Sequence, residues 1–298
     1  MTQQFDLAPQ MPLTTQAARD YSGKVLALGA SLPADVVHTV HAYGSDPVQA
    51  YDAWAPPGSH DAPVLLFWHG GGWTNGYREW VRFMASHIVR RGMVLVAPGY
   101  RLAPEHRMGA IMDDALAALK HVVAHAAGFG GSPSQIYLSG HSAGGHIAAL
   151  VALRAFALKD AGIDRAALRG CLPISGIMDL SHPSPPPESL EERVYTMVLD
   201  DPLQDGVQSP ICWTACNPVP MVLTCGSRDS ARVLSSNKRM AALLALQGAT
   251  SELHVLEGED HYSTHVSLAN PGAPWYGLLD AIVQRNRSVS TSNSRGPT

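Results

Sequence analysis

The 298-residue sequence predicts one α/β domain, a mostly parallel central sheet flanked by helices, with a cap from the N-terminus and an insertion. Three observations carry this prediction. Short continuous apolar runs recur along the chain, and such runs read as strands buried on both faces. Longer amphipathic stretches separate them, so strand and helix alternate as they do around crossover connections. Hydrophobic residues make up 46% of the chain and charged residues 15%, a balance that supports a large core and excludes intrinsic disorder.

The elements follow in order. Residues 1–35 form an N-terminal cap region with helical character around Thr14–Leu28. Strand character begins at Val36, in VVHTVHAYG and then VQAYDAWAP, and Pro56-Pro57-Gly58 marks a turn. Core strands are expected at Val64–Trp68, Val94–Ala97, Gln135–Ser139, Cys171–Ser175, Met221–Cys225 and Leu253–Leu256. Helices are expected at Trp80–Arg91, Ile111–Ala127, Ala143–Lys159, Ala231–Gln247 and Trp275–Arg285. Asp113 and Asp114 fall in the first turn of the second of these, the electrostatically favoured end. The stretch 181–217 is Pro-rich at its start (HPSPPPE) and too long for an ordinary loop, so it reads as a lid insertion with a helix at Ser189–Leu199. Residues 288–298 are Ser/Gly/Pro-rich and predict a disordered tail after a single domain over 1–287.

Composition excludes several function classes. Lys and Arg number 21 against 25 Asp and Glu, a net charge of −4, so the chain has no basic face for nucleic acid. No apolar run reaches the ~18 residues that span a bilayer. The N-terminus shows no signal-peptide pattern and the four cysteines are too sparse for a disulfide scaffold, which predicts free thiols in a reducing cytoplasm. A homodimer is left open.

Chemistry concentrates at Gly140-His141-Ser142-Ala143-Gly144. The motif lies between an expected strand and an expected helix, where a serine on a sharp turn projects its hydroxyl above the sheet. A serine that only caps the helix is the competing reading. Upstream, His69-Gly70-Gly71-Gly72-Trp73 ends a strand. Glycines there let backbone N–H groups approach a ligand oxygen, so the amides of Gly71, Gly72 and Ala143 form a candidate oxyanion hole. His69 reads as structural and Trp73 as pocket wall.

A serine nucleophile needs a base, and the base an orienting carboxylate. Asp229 and His261 stand just after two expected strands, at the sheet edge where α/β proteins place ligands. His265 is the competing base. His121 and His125, spaced i, i+4 on a helix, read as solvent-facing rather than as metal ligands, and no metal or other cofactor is expected. His141 and His146 flank the serine turn and shape the pocket. Trp73, His141, Trp213 and Tyr262 are the candidate substrate-binding residues.

HGGGW, Tyr100-Arg101-Leu102-Ala103-Pro104-Glu105, GHSAGG and the spacing to Asp229 and His261 together resemble the α/β-hydrolase superfamily. Within it they resemble the hormone-sensitive-lipase-like esterases and the related kynurenine formamidases, over roughly Ala62 to His261. The resemblance implies a triad of Ser142, Asp229 and His261, an oxyanion hole from Gly71, Gly72 and Ala143, and a cap from the N-terminal residues and the insertion. The implied activity is serine carboxylesterase action, and the charge balance, which offers no strong steering for ions, points to small to medium, uncharged acyl esters. Arylformamidase action on an N-formyl amide is the alternative, and a non-catalytic small-molecule binder a more distant one. Gly72 matches the esterases, whereas Ser175-Gly176-Ile177-Met178-Asp179-Leu180 is closer to the formamidases.

Overall fold

The computed structural model describes residues 5–31 and 36–293. The first four residues, 32–35 within the cap region and 294–298 of the tail lie outside the described residues. Eight strands form one sheet: β1 (Val37–Ala42), β2 (Ala50–Ala55), β3 (Ala62–Trp68), β4 (Val94–Pro98), β5 (Gly131–His141), β6 (Leu168–Ile174), β7 (Met221–Gly226) and β8 (Ser251–Leu256). Their order is β1-β2-β4-β3-β5-β6-β7-β8. The two pairings made by β2 are antiparallel and all others parallel.

The strand residues explain this arrangement. β3 and β4 are apolar throughout and every residue in them is buried, as expected of strands covered by helices on both faces. β1 is an edge strand with alternating exposure, and His38 and His41 on it stack against Trp54 and Tyr51 of β2.

Helices cover both faces. α1 (Gln16–Gly29), capped by the Thr15 hydroxyl, packs with a 3₁₀ segment at Arg78–Met84 and α2 (Ala85–Val89) on one side. α3 (Met108–His125), α4 (Ala143–Leu153) and α7 (Ala231–Leu244) cover the other. Trp54, Trp80 and Trp275 anchor the first apolar cluster, and Trp68 and Trp73 the second. Each such side chain contributes about 1.5–3 kcal/mol on burial.

Several boundaries differ from expectation. The helix over Ala143–Lys159 breaks at Arg154 (ψ 77°) into α4 and α5 (Ala155–Asp160). In the insertion, α6 (Leu190–Arg193) is followed by one π turn at Val194–Val198. After α8 (Ser263–Val266), the final helix α9 runs over Pro274–Asn293, into the stretch expected to be disordered.

α3 starts a turn earlier than expected, so Asp113 and Asp114 are not in its first turn. Asp114 is a buried staple instead. It accepts from Gln49 Nε2 (2.7 Å), the Arg101 amide (2.8 Å) and the Arg101 guanidinium (2.7 Å). Removing it strands those donors, and breaking a buried pair from one side costs about 3–5 kcal/mol. Asp114→Ala is therefore expected to lower unfolding free energy by about that amount in a urea titration. A loss under about 1 kcal/mol would show the pair to be solvated and weak.

Candidate active site

β5 ends at His141, α4 begins at Ala143, and Ser142 forms the whole turn between them. Its backbone is left-handed (φ 54°, ψ −117°), a conformation that costs a non-glycine residue on the order of 1–3 kcal/mol. The crossing that imposes it depends on Gly140 and Gly144. A Cβ on Gly144 would collide with the Trp68 carbonyl, and one on Gly140 with Gly144 itself. The Ser142 amide is tied to the Ile174 carbonyl at 2.9 Å.

The structure brings Ser142, His261 and Asp229 into one chain. The Ser142 hydroxyl lies 2.8 Å from His261 Nε2, and His261 Nδ1 lies 2.7 Å from Asp229 Oδ1. The loops after β7 and β8 that carry the acid and the histidine are stitched together. Ser227 N–H donates to the Leu256 carbonyl and Arg228 N–H to the Glu259 carbonyl, both at 2.9 Å.

Asp229 has no exposed side-chain surface. Burial pushes its pKa up, but hydrogen bonds from His261, Ser175 and the Gly226 amide outweigh that and hold it below the usual carboxylate value. The Ser175 hydroxyl donates to Oδ2 at 2.6 Å and the Gly226 amide to the same oxygen at 3.0 Å. Ser175 also meets the Thr264 hydroxyl (2.9 Å), which donates to the His261 carbonyl (2.9 Å). Sequence reasoning missed Ser175 and Thr264. Their one signal was a hydroxyl residue just past a core strand or just after the candidate base.

His265 is fully buried and separate from this chain. It stacks between Phe67 and His141 and bonds Tyr21 through Nδ1 at 2.7 Å. Burial lowers its pKa to about 3. Tyr21 also reaches His141 Nδ1 (3.4 Å), and His141 Nε2 donates to the His261 carbonyl (2.7 Å). If His265 Nδ1–H donates to Tyr21 and Tyr21 to His141, one continuous set of donors braces the His261 loop from α1. His69 stacks on Tyr100 at 4.3 Å, and burial lowers its pKa to about 4.

A cavity of about 360 Å³ opens over Ser142. Its floor includes Gly71, Gly72, His141, Ser142, His261 and Tyr262, and Trp80 lies on its wall. Its roof comes from Leu13–Tyr21 and from Glu188–Arg193. The N-terminal segment is pinned to the glycine loop. Gln10 exchanges two hydrogen bonds with Gly76 (2.7 and 2.8 Å), and Tyr77 donates to the Ala8 carbonyl (2.7 Å). Among the described residues, no backbone hydrogen bond engages the amides of Gly71 or Gly72. Ala143 opens α4, so its amide has no acceptor within the helix. Gly71 (φ 122°) takes a conformation that suits only glycine, and a Cβ there would strike the Asn75 carbonyl.

Two expected wall residues lie elsewhere. Trp73 is fully buried and meets His146 edge-on at 5.1 Å, because its left-handed backbone (φ 61°) turns the ring into the core. Trp213 packs with Phe156 and Arg154 and donates to the Val207 carbonyl, away from the cavity. His121 is not purely solvent-facing, since it meets the Tyr51 hydroxyl at 3.0 Å. Among the described residues, no group of three or more His, Cys, Asp or Glu side chains is placed to share a metal ion. None of their helices is long and apolar enough to cross a membrane.

Buried histidines make stability acid-sensitive. Burial lowers the pKa of His69 and His146 to about 4 and that of His265 to about 3, and it lowers His141 as well, with help from His261 and His265. Each is neutral when folded but binds a proton near pH 6.5 when unfolded, so the unfolded state takes up more protons below that pH. Stability is complete above about pH 6.5 and falls towards pH 4, with each histidine removing up to about 1.4 kcal/mol per pH unit. Urea midpoints at pH 8, 6 and 5 are expected to drop steeply below 6.5. A flat profile would contradict neutral burial.

A family model described as the alpha/beta hydrolase fold matches residues 65–265. A probable isoprenylcysteine alpha-carbonyl methylesterase from rice (Oryza sativa subsp. japonica) is 27% identical over 77% of this chain and 58% of its own. The chain thus spans a little over half the length of that relative. Carboxylesterase NlhH from Mycobacterium tuberculosis is 43% identical over 36% of this chain and 33% of its own. The Pyrobaculum calidifontis esterase superposes with a TM-score of 0.73 at 20% identity, covering 95% of this chain and 94% of that one, a likeness of fold. With the family match spanning most of the sheet and every strand end of the site, the chain belongs to the α/β-hydrolase family.

Proposed function

We propose that this protein is a serine carboxylesterase acting on small-molecule esters of small to medium acyl chain, with Ser142, His261 and Asp229 as its triad. The observation that carries the reading is the hydrogen-bonded chain Ser142–His261–Asp229 at the floor of a cavity. The names of the relatives from rice and Mycobacterium tuberculosis support it.

The chemistry follows from the distances. His261 Nε2 takes the Ser142 proton as Oγ attacks the ester carbonyl. Asp229 holds Nδ1 protonated and stabilises the imidazolium that forms. The free amides of Gly71, Gly72 and Ala143 receive the oxyanion, each worth roughly 2.7–4 kcal/mol in the transition state. The imidazolium protonates the departing alcohol. Water then attacks the acyl-enzyme with His261 again as base, and the acid leaves.

The N-terminal region and the 181–217 insertion form the cap, a reading supported by Leu13–Tyr21 and Glu188–Arg193 at the cavity roof. His265 is excluded as base by its bond to Tyr21 and its lack of exposure. Tyr21, Trp80 and Tyr262, which line the cavity, suit an aryl leaving group, which keeps N-formyl arylamide cleavage as the second reading.

Four measurements test this. Ser142→Ala is expected to lower p-nitrophenyl butyrate turnover by about 10⁴-fold or more without unfolding the protein, and retained turnover would end the proposal. Asp229→Asn is expected to lose about 10³-fold or more through the wrong imidazole tautomer. His261→Ala abolishes activity, while His265→Phe leaves the serine labelled by a fluorophosphonate. Across acetyl to octanoyl esters, good butyryl and hexanoyl turnover supports the esterase. Loss beyond acetyl with rapid N-formylkynurenine cleavage supports the formamidase.

A further inference from the structure

The cavity roof contains a cation without a partner among the described residues. Arg193 closes α6 and lines the cavity shared with Ser142. It is half-buried, and its Nε is shut off from solvent without an acceptor. Among the described residues, no ion pair or hydrogen bond engages its guanidinium.

The two carboxylates that precede it in sequence have other partners. Glu191 pairs with Arg232 at 3.3 Å, and Glu192 accepts from the Glu188 amide at 2.6 Å. Glu188 is the other fixed charge on the wall, and it is exposed and forms no ion pair with Arg193. A guanidinium presents donors in a planar fork that matches a carboxylate. A cation held at a partly desolvated wall without an acceptor has a site to fill.

We propose that Arg193 is a specificity residue that receives a free carboxylate on the substrate, so that preferred substrates are ester monoanions such as half-esters of dicarboxylic acids. This rests on the esterase reading above. A single cation with Glu188 nearby suits one negative charge and disfavours a phosphate dianion. The reach is short. Leu190 lies over Gly72, with Cδ1 3.2 Å from where a Cβ would stand, and Arg193 is three residues, about 4.5 Å of helical rise, further along. The carboxylate would therefore sit a few bonds from the reacting carbonyl. The net charge of −4 does not attract anions from a distance, so a preference for them would arise at this residue.

The test compares monomethyl succinate, glutarate and adipate with neutral methyl esters of matched length. For at least one length the wild type is expected to show a higher kcat/KM on the charged ester, falling with added salt. Arg193→Gln is expected to reduce the charged-to-neutral ratio roughly tenfold or more, and Arg193→Lys to restore part of it. Fluorophosphonate labelling of Ser142 checks that each variant is folded. Neutral esters preferred at every length, or a ratio unchanged in R193Q, overturns this inference and leaves the esterase reading intact. Failure on every ester together with no labelling of Ser142 overturns both.

Discussion

The close crossing of β5 and α4 is the constraint on which the site depends. Two backbones pass where only Gly140 and Gly144 fit, and the residue between them is driven to φ 54°. That conformation is costly and is held by the surrounding sheet. Its result is a serine hydroxyl lifted above the strand ends and a helix N-terminus aimed at the same point. The parallel strands on either side of β5 then decide what can meet that hydroxyl, because their C-terminal loops open on the same edge.

Around this turn the molecule separates a rigid floor from a pinned roof. The floor is held by hydrogen bonds at both ends of the His261 ring and on both oxygens of Asp229. A cluster of buried, neutral aromatic and imidazole rings (Tyr21, His141, His265, Phe67) lies beneath the His261 loop. Burial separates the histidines by role. His265, His69 and His146 are too desolvated to carry charge easily, while His261 keeps 27% of its side-chain surface exposed and faces the cavity. The roof uses two distant parts of the chain, and α1 contributes to roof and floor alike through Tyr21. The hydrogen bonds of Tyr21 to His141 and His265, and of His141 to the His261 carbonyl, run from α1 to the His261 loop.

Strand and helix identity were legible because burial on both faces imposes continuous apolar runs, and all six expected core strands occur. Ser142 and the glycine loop were legible for a local reason, since both are turns whose geometry demands particular residues. Asp229 and His261 were legible from their positions after strands. Trp73 and Trp213 were misplaced because an aromatic residue near a loop end has no sequence mark for which way its ring turns, and a left-handed backbone at Trp73 sent it inward. Asp114 was placed in a first turn by charge pattern alone, whereas Arg101 and Gln49 enclose it in space.

The sequence by itself determined the alternation of strand and helix, the strained serine turn and the placement of Asp229 and His261 after core strands, because these depend on local backbone geometry and on which residues must be buried. Only the tertiary structure decided that His261 rather than His265 meets Ser142, that Ser175 backs Asp229, and that Arg193 reaches the cavity without a partner among the described residues. Those outcomes depend on contacts between segments tens to hundreds of residues apart. Such contacts are fixed by packing, which no local pattern records.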